Sequence, residues 1–152
     1  FSMFLRRFIL GIASSLLLTN SALALDPINS TGPNHLAIRG ADTTAYFRSG
    51  SPIEGTNDHV VRWKGAEWRF ISASEAALFK ANPTAYAPQF GAYCTGGLSQ
   101  QHVVEGKPQY WRIHSGKLYL FHTSAGAQRF SKDPIGTIRK AQAYWDTLGV
   151  KE

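Results

Sequence analysis

NPTAYAPQFGAYCTGG, residues Asn82–Gly97, carries the chain's single cysteine, Cys94, between a proline-punctuated run and a pair of glycines. Pro83 and Pro88 restrict backbone φ, while Gly91, Gly96 and Gly97 open conformations that other residues avoid. A stretch punctuated in this way forms neither one long helix nor one strand. It predicts a short turn of helix, then an extended run, then a tight corner bearing a thiol. The rest of the core has to be assembled around it from several small elements.

Toward the N-terminus, Ser72 followed three residues later by Glu75 forms a capping box and predicts a helix that stops before Pro83. Upstream of it, His59–Ile71 predicts a β-hairpin. Val61 and Trp63 alternate with Arg62 and Lys64, Trp68 and Phe70 alternate with Glu67 and Arg69, and Gly65 marks the turn. Asp42 is placed to cap a single helical turn through Tyr46. His35–Arg39 predicts a short extended piece. Leu25–Asn34, polar and holding Pro27 and Pro33, predicts a flexible leader.

Toward the C-terminus, Leu98–Gln109 is polar and predicts a loop or one helical turn. Tyr110–His122 predicts a second hairpin turning at Ser115-Gly116, with Trp111, Ile113, Leu118 and Leu120 on one face and Tyr110, Arg112, His114, Lys117 and Tyr119 on the other. Thr123–Lys132 and Asp133–Leu148 predict two closing helices, the second entered through Pro134. Ile138, Ala141, Tyr144, Trp145 and Leu148 recur at helical spacing, which predicts that this last helix docks on the sheet. The class is α+β: a small antiparallel sheet of two hairpins packed with short helices and a C-terminal helix, one domain over residues 35–150.

Arg6 and Arg7 precede the apolar run Phe8–Leu18, and Ala22-Leu23-Ala24 supplies a small-x-small cleavage pattern. Residues 1–24 therefore read as a secretory signal, which predicts a periplasmic or secreted protein with no stable membrane span after cleavage. The apolar run is shorter than the about 20 residues that a spanning helix requires. The net charge of +6 includes the two arginines of this segment, and the other basic residues are scattered. A dispersed positive balance favours solubility and argues against nucleic-acid binding. In an oxidising compartment a single cysteine makes no internal disulfide. Cys94 is thus packed and inert, paired between chains, metal-bound, or a free reactive thiol.

Several separated motifs resemble one family. Gly40-Ala41-Asp42 with Ala45-Tyr46-Phe47 and Gly55, then Trp63–Ser72, then Phe79, Asn82-Pro83 and Tyr86–Cys94, then Gly116–Leu120, and finally Ala141 with Trp145, together are similar to exported YHS-domain proteins, a branch that includes selenoproteins. The similarity spans nearly the whole chain after the signal. What it implies is a small module linked to copper and other heavy metals. Modules of the wider family often carry a cysteine where this chain has Ile71, and Val61-Arg62-Trp63 stands before the Gly65 turn in place of an intact Tyr-His-Ser signature.

The candidate chemistry centres on Cys94. The glycines after it leave backbone N–H groups for a thiolate, although free cysteine also packs as a small hydrophobe. A two-residue turn at Ser115-Gly116 pairs His114 with Lys117 and His122 with Gln109. The two histidines then stand about 17 Å apart at about 3.4 Å per residue, too far to share one ion. Alternation places His122 with Leu118 and Leu120 on the inner face, so His122 is the partner for Cys94. A thiol and an imidazole suit copper or another transition metal such as zinc. His102, on the polar loop, is the proposed third ligand, and Tyr93 and Gln89 are further site candidates. No Gly-x-Ser-x-Gly, HExxH or phosphate-cradling loop is present, and the acidic residues are isolated, which argues against nucleophilic and paired-carboxylate catalysis. The expected function is soft-metal binding. The alternatives are a thiol-dependent redox protein using Cys94 and a non-catalytic binding or structural module, with a metal ion or a small protein as partner.

Overall fold

The computed structural model describes residues 24–151, so the signal read over residues 1–24 lies outside the described residues except for Ala24. The expected first hairpin pairs β3 (Thr56–Trp63) with β4 (Ala66–Phe70), Trp63 opposite Ala66 and Val61 opposite Trp68. Its two turn residues, Lys64 (φ 48°) and Gly65 (φ 76°), are both left-handed, the twist-matched conformation of a two-residue hairpin turn. Ahead of the hairpin lie β1 (Ser30–Thr31) and β2 (Leu36–Ala37). β2 runs parallel to β4, so the sheet is mixed and ordered β1-β2-β4-β3. The second hairpin, β5 (Lys107–His114) with β6 (Lys117–Phe121), is a separate two-stranded sheet. The α+β class and the two hairpins are as expected, but the hairpins do not join into one sheet.

Alternation along β4 buries Ala66, Trp68 and Phe70 and leaves Glu67 and Arg69 on the other face, ion-paired at 2.9 Å. Phe79 of α2 (Ala73–Ala81) closes over Trp68 and Phe70, with ring centroids 5.0 and 5.1 Å away. Only half of the capping box forms. Ser72 Oγ accepts from the Glu75 N–H at 3.3 Å, whereas the Glu75 carboxylate turns to Arg48 at 2.5 Å. Arg48 ends α1 (Ala45–Arg48), so the ion pair ties α2 to α1. Asp42 does not cap α1 by the usual route. Its carboxylate accepts from the Thr44 N–H and from the Ile71 N–H, joining the α1 entry to the end of β4.

β6 is buried on both faces. Leu118 and Leu120 join the Trp68 and Phe70 core, while Tyr119 and Phe121 meet Phe130 of α5 (Ser124–Lys132) at centroid distances of 5.2 and 5.0 Å. The face expected to be outer at Tyr119 is therefore covered by α5. A further correction concerns register. Trp111 lies opposite Leu120, but Lys107 lies opposite Phe121, and the intervening bulge cancels the expected pairing of His122 with Gln109. The last helix, α6 (Pro134–Trp145), is capped by Asp133, whose Oδ1 accepts from Gly136 N–H at 3.0 Å. It packs on α4 (Thr95–Ser99) instead of a sheet, with Ala141 buried beside Tyr93 and Leu98.

The segment 25–34 is packed, not loose. Ile28 is in the core, and the Asn29 N–H donates to the Gly91 carbonyl at 2.7 Å. Its composition contains no helical or strand period, because the bonds that hold it come from distant parts of the chain. Among the described residues no helix is long and apolar enough to cross a membrane.

Tyr46 of α1 stands edge-on to Trp111 and donates its hydroxyl to the Pro108 carbonyl at 2.7 Å. Burial pushes its phenol well above the ordinary value of 10.0. The sign follows from linkage: the unfolded phenol ionises first, so the stability held by the neutral buried form is complete below about pH 10 and is lost as the pH climbs toward the folded value. Tyr46→Phe is expected to cost about 1 kcal/mol at neutral pH and to make the alkaline decline shallower. Urea melts at pH 8 and pH 11 check this, and parallel declines in both proteins would contradict it.

Candidate functional site

The Asn82–Gly97 stretch follows its expected order. Pro83 opens α3 (Pro83–Tyr86), Ala87–Gln89 is extended, and Phe90-Gly91-Ala92 makes a kink with all three residues left-handed (φ 54°, 58° and 67°). The expected glycine corner is the helix α4 itself, and Cys94 is its N-cap. Cys94 Sγ accepts from Gly97 N–H at 3.3 Å and from His122 N–H at 3.2 Å. Two N–H donors aimed at one sulfur are the contacts used by sulfurs that carry negative charge in metal centres. The glycine at 97 is required by crowding. A Cβ there would stand 2.8 Å from Val104 Cγ2 and 3.1 Å from the His102 carbonyl.

The sulfur is enclosed. Cys94 is 5% exposed and sits in a cluster with Tyr119, Phe121, Ala127 and Phe130. His122, the residue after β6, meets the sulfur through its backbone N–H. His122 Nδ1 lies 3.0 Å from the Glu105 carbonyl oxygen. A carbonyl only accepts, so Nδ1 is the donor, and in the neutral imidazole this tautomer leaves the lone pair on Nε2. An imidazole held in this way by a backbone carbonyl is oriented as metal-ligating histidines are. Glu105 is itself fixed, because its carboxylate takes a two-pronged contact from Arg39 at 2.5 and 2.8 Å.

The other expected site residues separate. His102 gives its backbone to the corner, donating to the Gly97 carbonyl at 2.8 Å, but the residue is exposed. Among the described residues no group of three or more His, Cys, Asp or Glu side chains is placed to hold a metal ion. Tyr93 points away from Cys94 into the α6 cluster, where its hydroxyl donates to the Asp26 carbonyl at 3.0 Å. Burial, with the Asp26 carboxylate adding to it, raises its phenol pKa. Gln89 donates its backbone N–H to the Leu118 carbonyl at 2.8 Å and lines a cleft in which Cys94 has no part. His114 packs its ring edge-on to Phe130, remote from any ligand set.

Sequence reasoning misses Glu105, whose carbonyl sets the His122 tautomer. No local signal points to it, because its placement depends on the β5 bulge. It also misses Lys64, in the first hairpin turn, and Lys117, next to the second, which both line the Gln89 cleft. Comparison of the chain with protein-family models, with curated proteins and with solved structures finds no match.

Proposed function

We propose that this chain is an exported, single-domain YHS-like protein that binds one soft metal ion, copper(I) above others, through Cys94 Sγ and His122 Nε2. The observation that carries the reading is the pair of bonds at His122. Its backbone N–H reaches the Cys94 sulfur at 3.2 Å, and its ring N–H is held by Glu105 O at 3.0 Å. A soft thiolate with an imidazole nitrogen favours Cu(I), which needs few ligands, over the hard cations. His102 is the proposed third ligand, which would reach the pair only by a movement of its exposed loop, since the described residues group no three such side chains. Export is supported by the pattern at residues 1–24, and N-terminal sequencing of the secreted or periplasmic protein should begin at Leu25.

The test is anaerobic Cu(I) titration against a competing chromogenic chelator. The serine in Cys94→Ser can still cap α4 and accept both N–H groups, so the fold is kept while the soft ligand is lost. The wild type should take up one equivalent. Cys94→Ser should bind at least tenfold more weakly, and His122→Gln about tenfold more weakly. Equal affinities for wild type and Cys94→Ser would remove the site.

The 5% exposure of Cys94 favours a second reading, a binding or structural module in which the thiol is simply packed. In that case Cys94→Ala changes stability alone, and alkylation of the folded protein at pH 8 is slow. The same burial leaves little sulfur surface for the exchange reactions of a redox thiol.

A further inference from the structure

A cleft of about 520 Å³, which Cys94 does not line, opens where the turns of both hairpins, the Ala87–Gly91 run and Val150-Lys151 meet. Its volume falls in the range of small-molecule sites. Two kinds of wall face it. Phe90 and Trp145, packed edge to face at 5.9 Å, and Trp63 supply aromatic surface. Lys64, from the first hairpin turn, and Lys117, from the second, supply ammonium groups. Lys151, also on the rim, is neutralised by Asp26 at 2.8 Å. Lys64 lies over the Trp63 ring, 5.0 Å from its centroid, and among the described residues neither Lys64 nor Lys117 makes a salt bridge. Among the described residues no carboxylate lines the cleft, and Gln89 is part of its wall.

The walls are also held in place. Lys64 is fixed by its hairpin turn (φ 48°), and Phe90 is left-handed at φ 54°, a conformation uncommon for a non-glycine residue outside a turn. The Gln89–Leu118 and Asn29–Gly91 backbone bonds lie on either side of Phe90. A cleft with aromatic walls, two lysines outside any salt bridge and, among the described residues, no acid in its lining selects by charge and by shape together.

We propose that this cleft binds a small organic anion with a flat aromatic body, its acidic group held by Lys64 and Lys117 and its ring lying against Phe90 and Trp145. The proposal is independent of the metal reading, since neither Cys94 nor His122 lines the cleft.

The test uses 2-naphthalenesulfonate with the full chain, followed by the indole N–H signals of the four tryptophans in NMR. Saturable binding is expected, with the Trp63 and Trp145 signals shifting and those of Trp68 and Trp111 staying in place. Lys64→Ala and Lys117→Ala, both at exposed positions, should each weaken binding about two- to fivefold. The neutral analogue 2-naphthalenemethanol should bind roughly tenfold more weakly than the sulfonate. The proposal is overturned by non-saturable binding, by shifts that favour Trp68 or Trp111, by equal affinity for the neutral analogue, or by lysine variants that bind as the wild type does.

Discussion

Asp42→Ala is expected to destabilise the fold by about 3–5 kcal/mol, with the protein still two-state in urea. Asp42 is fully buried, and both carboxylate oxygens are in use. Oδ1 accepts from the Thr44 N–H at 2.9 Å and lies 2.6 Å from the Thr44 hydroxyl, while Oδ2 accepts from the Ile71 N–H at 3.0 Å. Alanine leaves the buried Thr44 N–H and the part-buried Ile71 N–H without an acceptor. Each orphaned buried donor costs about 1–3 kcal/mol, and removing one partner of a buried charged network costs about 3–5 kcal/mol. The Asp42 N–H, bonded to the Ile53 carbonyl at 2.7 Å, survives the substitution, so the backbone has a reason to stay where it is. The side-chain amide in Asp42→Asn would restore one acceptor but would aim its own N–H at a backbone donor, so that variant should recover only part of the loss. The urea midpoint, read at constant m-value, is the measurement. A loss under about 1 kcal/mol for Asp42→Ala would mean that water or a rearranged Thr44 satisfies those donors.

Asp42 also shows where reading the sequence works. An aspartate two residues after a glycine, ahead of Ala45-Tyr46, announces a helix entry, and the entry is there. What is not legible is that half of the carboxylate serves Ile71, 29 residues away, because no local pattern encodes a tertiary acceptor. The hairpins follow the same division. Alternation and the turn residues Lys64-Gly65 and Ser115-Gly116 fix both turns and the register next to them. The β5 bulge between Lys107 and Trp111 lies beyond that reach, and it moves His122 from Gln109 to Glu105. Period-two reading assumes one buried face, and it fails at Tyr119 because α5 covers the second. What reaches Cys94 Sγ is the His122 backbone N–H, which side-chain parity does not encode, and the carbonyl that orients the imidazole is not legible either. Leu25–Asn34 reads as loose for a related reason: its order comes from bonds to Gly91 and Tyr93, outside any window in which composition is judged.

Those bonds make Gly91→Ala the second large expected effect, a loss of at least about 3 kcal/mol. Gly91 has φ 58°, and a Cβ there would overlap the Pro27 carbonyl oxygen and stand 3.3 Å from Trp145 Cη2. The conformational part is about 1 kcal/mol, the cost of a left-handed alanine. The larger part is steric, since the Pro27 backbone would have to retreat, taking with it the Asn29–Gly91 hydrogen bond of 2.7 Å and the burial of Ile28. Gly50→Ala separates the two contributions. Gly50 is also left-handed, at φ 68°, but a Cβ there meets nothing within 4 Å, so only the conformational cost of about 1 kcal/mol applies. In Gly91→Ala, segment 25–34 should also become the first site of limited proteolysis, because its local opening no longer requires breaking that contact. The Cu(I) affinity should change little, as the Cys94 and His122 bonds do not pass through Pro27. Equal destabilisation by the two alanines would show that the approach of Pro27 to Gly91 contributes nothing. The packing of the N-terminal segment would then rest on Ile28 and on the bonds that Tyr93 and Lys151 make to Asp26 and Leu25.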